Sequence, residues 1–146
     1  MGKLSLVALQ TAIRTILVND ATLTSLTGSS ALTSGARVFD GVPDDQAYPY
    51  ISFADKHVEP VDTFDKDVND DRIMLYVWSQ SKGDAEALNI ASRVNDLLHG
   101  ASLDLTASGF RNIPSSLQLE MLDTMREPDG RTRKAIMRYK TMNEET

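Results

Sequence analysis

The stretch that most constrains the fold is Asp71–Gln80, DRIMLYVWSQ, because apolar side chains occupy both alternating sets of its positions. Successive side chains of a β-strand point to opposite faces of the sheet, so this run predicts a strand with two apolar faces. One face carries Ile73, Leu75 and Val77, and the other carries Met74, Tyr76 and Trp78. A strand in an ordinary two-layer domain has one wet face. We therefore expect the second face to be covered by more of this chain or by a neighbouring subunit.

Two segments have the apolar periodicity of amphipathic helices. They are Ser5–Asn19 and Asp84–His99, and a glycine directly after the second segment is a helix stop signal. A shorter helix is predicted over Ala21–Leu26, with Asn19 or Asp20 as its N-cap.

The segment Val38–Phe53, VFDGVPDDQAYPYISF, cannot be a single helix. Pro49 fixes its own φ and disfavours helix at the residue before it. The segment predicts a strand, an ordered loop that contains Asp44 and Asp45, and a second strand that begins at Pro49.

Three connections have weaker patterns. Thr27–Ala36 is rich in Ser, Thr and Gly and predicts a loop, and the alternation in Ser102–Thr106 predicts a short strand. His57–Asn69 has little periodicity and many acidic or amide groups, so we interpret it as a long mobile excursion. Alternatively, its apolar residues extend a strand at a sheet edge; these are Val58, Val61 and Phe64.

The end of the chain predicts a β-hairpin over Leu117–Thr124 and Arg133–Met142. Pro128 stands at the second position of the connecting turn, and Gly130 stands where a positive φ is wanted. Alternation predicts one buried face, formed by Leu117, Leu119, Met121, Ala135, Met137 and Tyr139. On the opposite face, cross-strand pairing is expected between Gln118 and Glu120 on one strand and Arg138 and Lys140 on the other.

The order of predicted elements is helix, strand, strand, strand, helix, strand and hairpin. No strand–helix–strand repeat runs through it. This favours an α+β fold, a mostly antiparallel β-sheet with two main α-helices packed on one face and a C-terminal β-hairpin. The 146 residues are the length of one ordinary domain, so residues 1–146 are expected to form a single domain.

The composition argues against several classes of function. The net charge of −6 disfavours a nucleic-acid-binding protein, because phosphate contacts need clustered Lys and Arg. The absence of cysteine removes disulfides, thiolate catalysis and Cys-based zinc sites. No run approaches the roughly 20 apolar residues of a membrane helix, and polar residues interrupt any signal-like N-terminal core. We expect a cytosolic protein without a membrane partner.

Candidate catalytic residues are few. The chain contains no GxGxxG, GxxxxGK[ST], GxSxG or HExxH pattern. Asp44 and Asp45 are paired carboxylates, but in a proline-bounded loop such residues are typical of turns. His57 lies near Asp55 and Glu59 in the sequence, which leaves a small hydrolase using Asp44, Asp45, Asp55 and His57 as a competing hypothesis.

Two other groups are better explained without site chemistry. Asp65–Asp71 resembles the start of a calcium loop, but Asp70 stands where a glycine is needed and Tyr76 where a bidentate glutamate is needed. His99 is explained as a cation or a cap at the negative end of a helix. We predict no catalytic residue, no metal and no cofactor.

Charge is segregated along the chain. Basic residues concentrate in the hairpin, at Arg126, Arg131, Arg133, Lys134, Arg138 and Lys140, and acidic residues concentrate between Asp40 and Asp71. This pattern is compatible with an ordinary charged outer face, or with a head-to-tail interface in which the acidic side of one subunit meets the basic side of the next. For the second reading the candidate interface residues are Asp44, Asp45, Met74, Tyr76, Trp78, Arg126, Arg131, Arg133 and Arg138.

Taken together, three features resemble the tail-completion, or tail-terminator, family of long-tailed phages, prophages and gene transfer agents. They are VFDGVPDDQAYPYISF, the strand DRIMLYVWS followed by a helix ending in LLHG, and the late turn REPDGRTR. The resemblance runs from Leu4 to Thr141 in the family's order and spacing. Its marks are the spacing of Val38 to Tyr50 and the Asp129-Gly130 turn. The acidic stretch Glu59–Asp71 departs from the simplest family pattern.

The resemblance implies a structural virion protein with neither catalysis nor a cofactor. Family members look like small α+β subunits in a hexameric ring that caps the tail tube and presents a face to the head connector. The implied partners are other copies of the chain, a tail-tube protein and a head-connector or stopper protein. The implied location is the tail–head junction of a virion assembled in the cytoplasm of a bacterial host. The alternatives are another small head–tail connector or tail-tube component, or the hydrolase.

Overall fold

The computed structural model describes residues 4–30, 32–61 and 65–146. The helices are α1 (Leu6–Val18), α2 (Ala21–Thr27) and α3 (Ala85–Leu98), with a single 3₁₀ turn at Thr106–Ser108. The strands are β1 (Ser29–Ser30), β2 (Gly35–Ala36), β3 (Val38–Phe39), β4 (Tyr50–Pro60), β5 (Val68–Ser79), β6 (Phe110–Asn112), β7 (Gln118–Arg126) and β8 (Arg133–Glu145).

The main sheet is almost entirely antiparallel. Its strands lie in the order β3, β4, β5, β8, β6, and β7 pairs with β8 as well. β3 runs parallel to β4, and every other neighbouring pair in this sheet is antiparallel. β1 and β2 form a separate small ladder inside the predicted Ser/Thr/Gly-rich loop. The predicted α+β fold is confirmed.

One face of the sheet is covered by helices and holds the core. The inward side chains of β5 and β8 are fully buried or nearly so and pack against α1 and α3, as predicted. The main contributors are Leu9, Ile13, Leu17, Ile73, Leu75, Val77, Ile90, Ala91, Val94, Ala135, Met137 and Tyr139. We call this the inner face of the sheet and the opposite one the outer face.

The N-cap of α2 also ties two helices together. Of the two candidates, Asp20 is the cap: its Oδ2 accepts a hydrogen bond from the Leu23 backbone N–H at 2.8 Å. Arg93 of α3 donates to both carboxylate oxygens of Asp20, at 2.9 and 2.7 Å. The Arg93 guanidinium lowers the pKa of this carboxyl, so the pair stays charged at neutral pH.

α3 begins and ends where the sequence indicates. Asp84 occupies the N-cap position without a side-chain capping bond. His99 occupies the C-cap, and its Nδ1 accepts a hydrogen bond from the Leu119 backbone N–H at 3.2 Å. His99 therefore caps the end of α3, which is one of the two roles expected from the sequence.

The interpretation of His57–Asn69 as a mobile excursion is wrong for its described ends, and the strand alternative holds for Val58. β4 continues to Pro60 and β5 begins at Val68, so Glu59 pairs with Asp70 in an antiparallel hairpin. Backbone hydrogen bonds between the two strands hold these residues in place. The pattern of apolar and polar side chains does not reveal such pairing. Asp65–Asp71 enters β5 and is not a calcium loop. Residues 62–64, which include the predicted strand residue Phe64, lie outside the described residues.

The short strand predicted over Ser102–Thr106 is also wrong. Leu103 and Leu105 are buried, but they anchor an irregular segment. The strand lies next to it, at β6, which pairs with the end of β8. The Leu103 backbone N–H donates to Asn112 Oδ1 at 3.2 Å, so the two segments are joined through a side chain.

The C-terminal hairpin and its turn are confirmed. The Gly130 N–H donates to the Glu127 carbonyl at 3.0 Å, and Gly130 has a φ of 73°. Asp129 Oδ1 accepts from the backbone N–H groups of Arg131 and Thr132, at 2.9 and 2.8 Å. Thr132, which also donates its hydroxyl to Asp129, lowers the pKa of that carboxyl and keeps it a charged acceptor.

The predicted buried face holds for β8 but not for most of β7. A register irregularity between Leu119 and Met121 turns Met121 to the outer face, opposite Arg138. Farther along, Leu122 and Met125 are 41% and 50% exposed. Within the described residues β7 pairs with β8 alone, so β7 is an exposed edge strand.

A buried polar cluster closes the end of the sheet near the start of α1. Asp71 is fully buried, and its Oδ2 accepts from the Ser5 hydroxyl and from Asn143 Nδ2. Asp71 Oδ1 is buried with no hydrogen-bond partner among the described residues. Burial raises the pKa of Asp71 and outweighs the two donors, which lower it.

β2 passes very close to the end of α1. A Cβ added at Gly35 would lie 2.1 Å from the Val18 carbonyl oxygen, a contact with backbone that cannot move aside cheaply. Gly41, in the loop after β3, has no atom within 4 Å of the same added position.

We expect Gly35→Ala to lower the free energy of unfolding by about 3 kcal/mol, because the new methyl group clashes with backbone. The matched control Gly41→Ala should change it by less than about 0.5 kcal/mol. Urea denaturation of the two variants checks this, and equal effects would contradict the close approach of β2 to α1.

Asp71→Asn should change the pH dependence of stability. The folded pKa of Asp71 is raised, so its stabilising contribution is full below the unfolded pKa of about 3.9 and is lost as pH rises through the folded pKa. Asparagine stays neutral and still accepts from Ser5 and Asn143. Denaturation from about pH 3.5 to 7 should show the variant gaining stability relative to wild type. A pH-independent difference would show that Asp71 does not titrate in this window.

Candidate assembly surface

The outer face of the sheet carries apolar side chains that the helices do not cover. Because directly paired residues share a face, Met74, Tyr76 and Trp78 lie beside Arg138, Ile136 and Lys134 of β8. All six side chains are half-buried, and none belongs to the core under the helices. The predicted second apolar face is therefore confirmed, and among the described residues no helix covers it.

An aromatic ladder stiffens one end of the outer face. Tyr50 pairs with Trp78 across β4 and β5, and their ring centroids are 6.2 Å apart. Tyr48 and Tyr76 continue the row, with centroids 5.1 Å from Tyr50 and 5.8 Å from Trp78. Burial, together with the neighbouring Tyr48, raises the pKa of Tyr50 to about 12. The proline-bounded segment thus contributes directly to this surface.

Polar contacts hold the ladder in place. The Trp78 indole N–H donates to Ser52 Oγ at 2.9 Å. Lys134 Nζ lies 4.5 Å from the Tyr76 ring centroid and 5.2 Å from that of Trp78, within the range of cation–π attraction. The aromatic rings are therefore positioned before any partner arrives.

Farther along the same face lies an open groove of about 430 Å³. It is lined by Asp55, Lys56, His57, Arg72, Met74, Glu120 and Arg138. Glu120 Oε1 lies 2.8 Å from Arg72 Nε and 3.6 Å from Arg138 Nε. The predicted pairing of Glu120 with Arg138 is present, and Arg72 is the stronger partner.

The groove does not assemble the residues of the hydrolase hypothesis. His57 and Asp55 line it, whereas Asp44 and Asp45 do not. The nearby carboxylate of Glu120 is engaged by arginines. Across residues 4–30, 32–61 and 65–146, no three His, Asp or Glu side chains are placed to hold a metal ion.

The structure separates the basic residues that the sequence grouped together. Arg138 is on the outer face, but Arg133 is on the inner side and lies 3.4 Å from Asp84 at the start of α3. Arg126 and Arg131 are exposed near the tip of the hairpin, and Arg131 donates to Gln80 Oε1 at 3.3 Å. These four cations do not form one patch, because alternate strand residues point to opposite faces.

The two candidate carboxylates lie in a loop and not on the hairpin strands that carry these cations. Asp44 and Asp45 are exposed in the loop between β3 and β4, and Asp45 has a φ of 57°. Sequence reasoning missed the outer-face residues Tyr50, Ile136 and Met121. Their alternation was visible, but their faces follow only from the pairing of strands far apart in the chain.

A protein-family model described as tail completion protein gp17 matches residues 11–144. This chain belongs to the tail completion protein gp17 family. The family resemblance predicted from the sequence is confirmed, and the chain is a structural tail-completion protein.

Solved structures share the fold of this tail completion protein. A chain in the virion of a native gene transfer agent particle superimposes with a TM-score of 0.81 at 26% identity, covering 95% of this chain and 96% of that one. The gp17 protein of bacteriophage SPP1 superimposes with a TM-score of 0.61 at 23% identity, covering 95% and 91%. A comparison with curated protein sequences finds no match.

In the part of the chain that the structure describes, no helix is long and apolar enough to cross a membrane.

Proposed function

We propose that this tail completion protein forms a homo-oligomeric ring, a hexamer, at the end of a phage-like tail tube. The ring caps the tube, stops its growth and presents a face to the head connector. Its partners are other copies of the chain, the tail-tube protein and the connector or stopper protein. Residues 1–146 act as one domain, located at the tail–head junction of a virion assembled in the bacterial cytoplasm.

The observation that carries the ring is the uncovered outer face of the sheet. Half-buried Met74, Tyr76 and Ile136 line it, and a contiguous apolar surface of this kind marks an interaction site. The aromatic ladder beside it is already ordered, so little side-chain entropy is lost when a partner binds.

The distribution of charge favours a head-to-tail arrangement. The exposed carboxylates of Asp44 and Asp45 lie beside β3 at one edge of the sheet, whereas Arg138 lies on β8 toward the other edge. A contact between two different surfaces of the same chain repeats, and it closes into a ring when the rotation allows. The relatives support the setting, since one is part of a gene transfer agent virion and the other is a phage gp17 protein.

The test is capping of a growing tail tube. Purified tail-tube protein from the same particle should polymerise into shorter tubes when this protein is added, with a ring at one end in negative-stain electron microscopy. Light scattering of the ring should give about 97 kDa, the mass of six 16.1 kDa copies.

A matched pair of variants tests whether capping requires the outer face of the sheet. Tyr76→Asp places a charge on the outer face and should abolish capping, whereas Leu88→Asp, on the exposed side of α3, should cap normally. Circular dichroism confirms that both variants fold. Unchanged tube lengths with wild-type protein would contradict the proposal, and incorporation along the whole tube would indicate a tail-tube component.

A further inference from the structure

Arg138 carries a charge that its own chain compensates poorly. Its Nε is buried without a hydrogen bond among the described residues, and Glu120 Oε1 lies 3.6 Å away. Glu120 is held at 2.8 Å by Arg72, so its capacity for a second arginine is reduced. The Arg138 side chain is 43% exposed and borders the groove of about 430 Å³.

The other cations that line this groove are already engaged or point elsewhere. Arg72 lies between the carboxylates of Glu120 and Asp70. Lys56 pairs with the inner-face residue Ile73, so its side chain points to the helix side, where Nζ lies 3.6 Å from Asp40 Oδ1. Arg138 is therefore the available donor of the groove, which also includes Met74 in its lining, and we call it the cationic groove. A carboxylate that enters it gains a charged donor at a partly desolvated position.

The matching anion is the loop between β3 and β4. Asp44 and Asp45 are exposed, and within the described residues neither carboxylate has a hydrogen bond or an ion pair. Arg37 braces the loop by donating to the carbonyls of Ala47 and Tyr48, at 3.5 and 3.4 Å. The loop thus projects two free carboxylates from a braced base, and it does not line the cationic groove of its own chain.

We infer that the Asp44–Asp45 loop of one copy binds in the cationic groove of the next copy, where its carboxylates pair with Arg138. The inference rests on the proposed ring and names the contact that joins its subunits. Loop and groove are different surfaces, so the contact is heterologous and each copy offers both halves. Of the four arginines predicted from the sequence as interface residues, this contact includes Arg138. Arg126, Arg131 and Arg133 lie outside it.

Charge reversal on each side tests the contact. R138E and the double variant D44K/D45K should each weaken self-association at least about tenfold in analytical ultracentrifugation, and combining all three substitutions should restore most of it. D44K/D45K also takes the net charge from −6 to −2, since each substitution adds two charges. A smaller net charge generally favours association, so weakening by this variant is specific.

Two further variants serve as controls for the charge reversals. K82E makes the same charge change as R138E in the exposed loop after β5, and it should associate like wild type. R138E places a carboxylate beside Glu120, so R138Q, which removes the charge without adding another, should show an intermediate loss. If circular dichroism shows that R138E does not fold, the self-association of R138Q and D44K/D45K tests the contact instead.

The outcomes separate this inference from the proposed function. If wild type assembles and the reversals leave association unchanged, the inference is overturned and the ring stands. If single reversals weaken assembly but the combination does not recover it, the pairing of these residues is overturned. If wild type assembles neither alone nor on tail tubes, the proposed function fails first, and the contact fails with it.

Discussion

The structure depends on the antiparallel pairing of β5 with β8. These two strands pair continuously from Val68 opposite Glu144 to Ser79 opposite Arg133. Since side chains alternate along each strand, this register sends one set of residues under α1 and α3 and the other set to the outer face. A shift of one residue would expose Leu75 and Met137 and bury Arg138. The core and the proposed assembly surface therefore follow from the same register.

Local signals made much of the fold predictable from the sequence. The stripes of α1 and α3, the alternation of β5 and the Pro128–Gly130 turn are all encoded within a few residues. Elements held by distant partners were not recovered. β6 is only three residues long and is stabilised by the end of β8. The sequence indicated the far end of β4 only as the second of two possible interpretations, beside a mobile loop.

The candidate site was partly predictable for the same reason. Alternation identified Met74, Tyr76 and Trp78 as a second apolar face, and the structure places them on the face without helices. The grouping of basic residues failed because sequence proximity does not specify a face. Arg133 and Arg138 lie on opposite sides of the sheet, and the irregularity after Leu119 moves Met121 out of the predicted buried row. Register and bulges depend on the paired strand, which a single-strand pattern does not contain.

The central claim is that assembly buries the outer face, and the intrinsic fluorescence of the chain tests it directly. Trp78 is the only tryptophan and lies half-buried on that face beside Lys134. Acrylamide quenching should be measured on the assembled protein and on the same sample after dilution to subunits. The account predicts weaker quenching in the assembled state, because a neighbouring subunit or the tail tube covers the indole. Equal quenching in both states would contradict it.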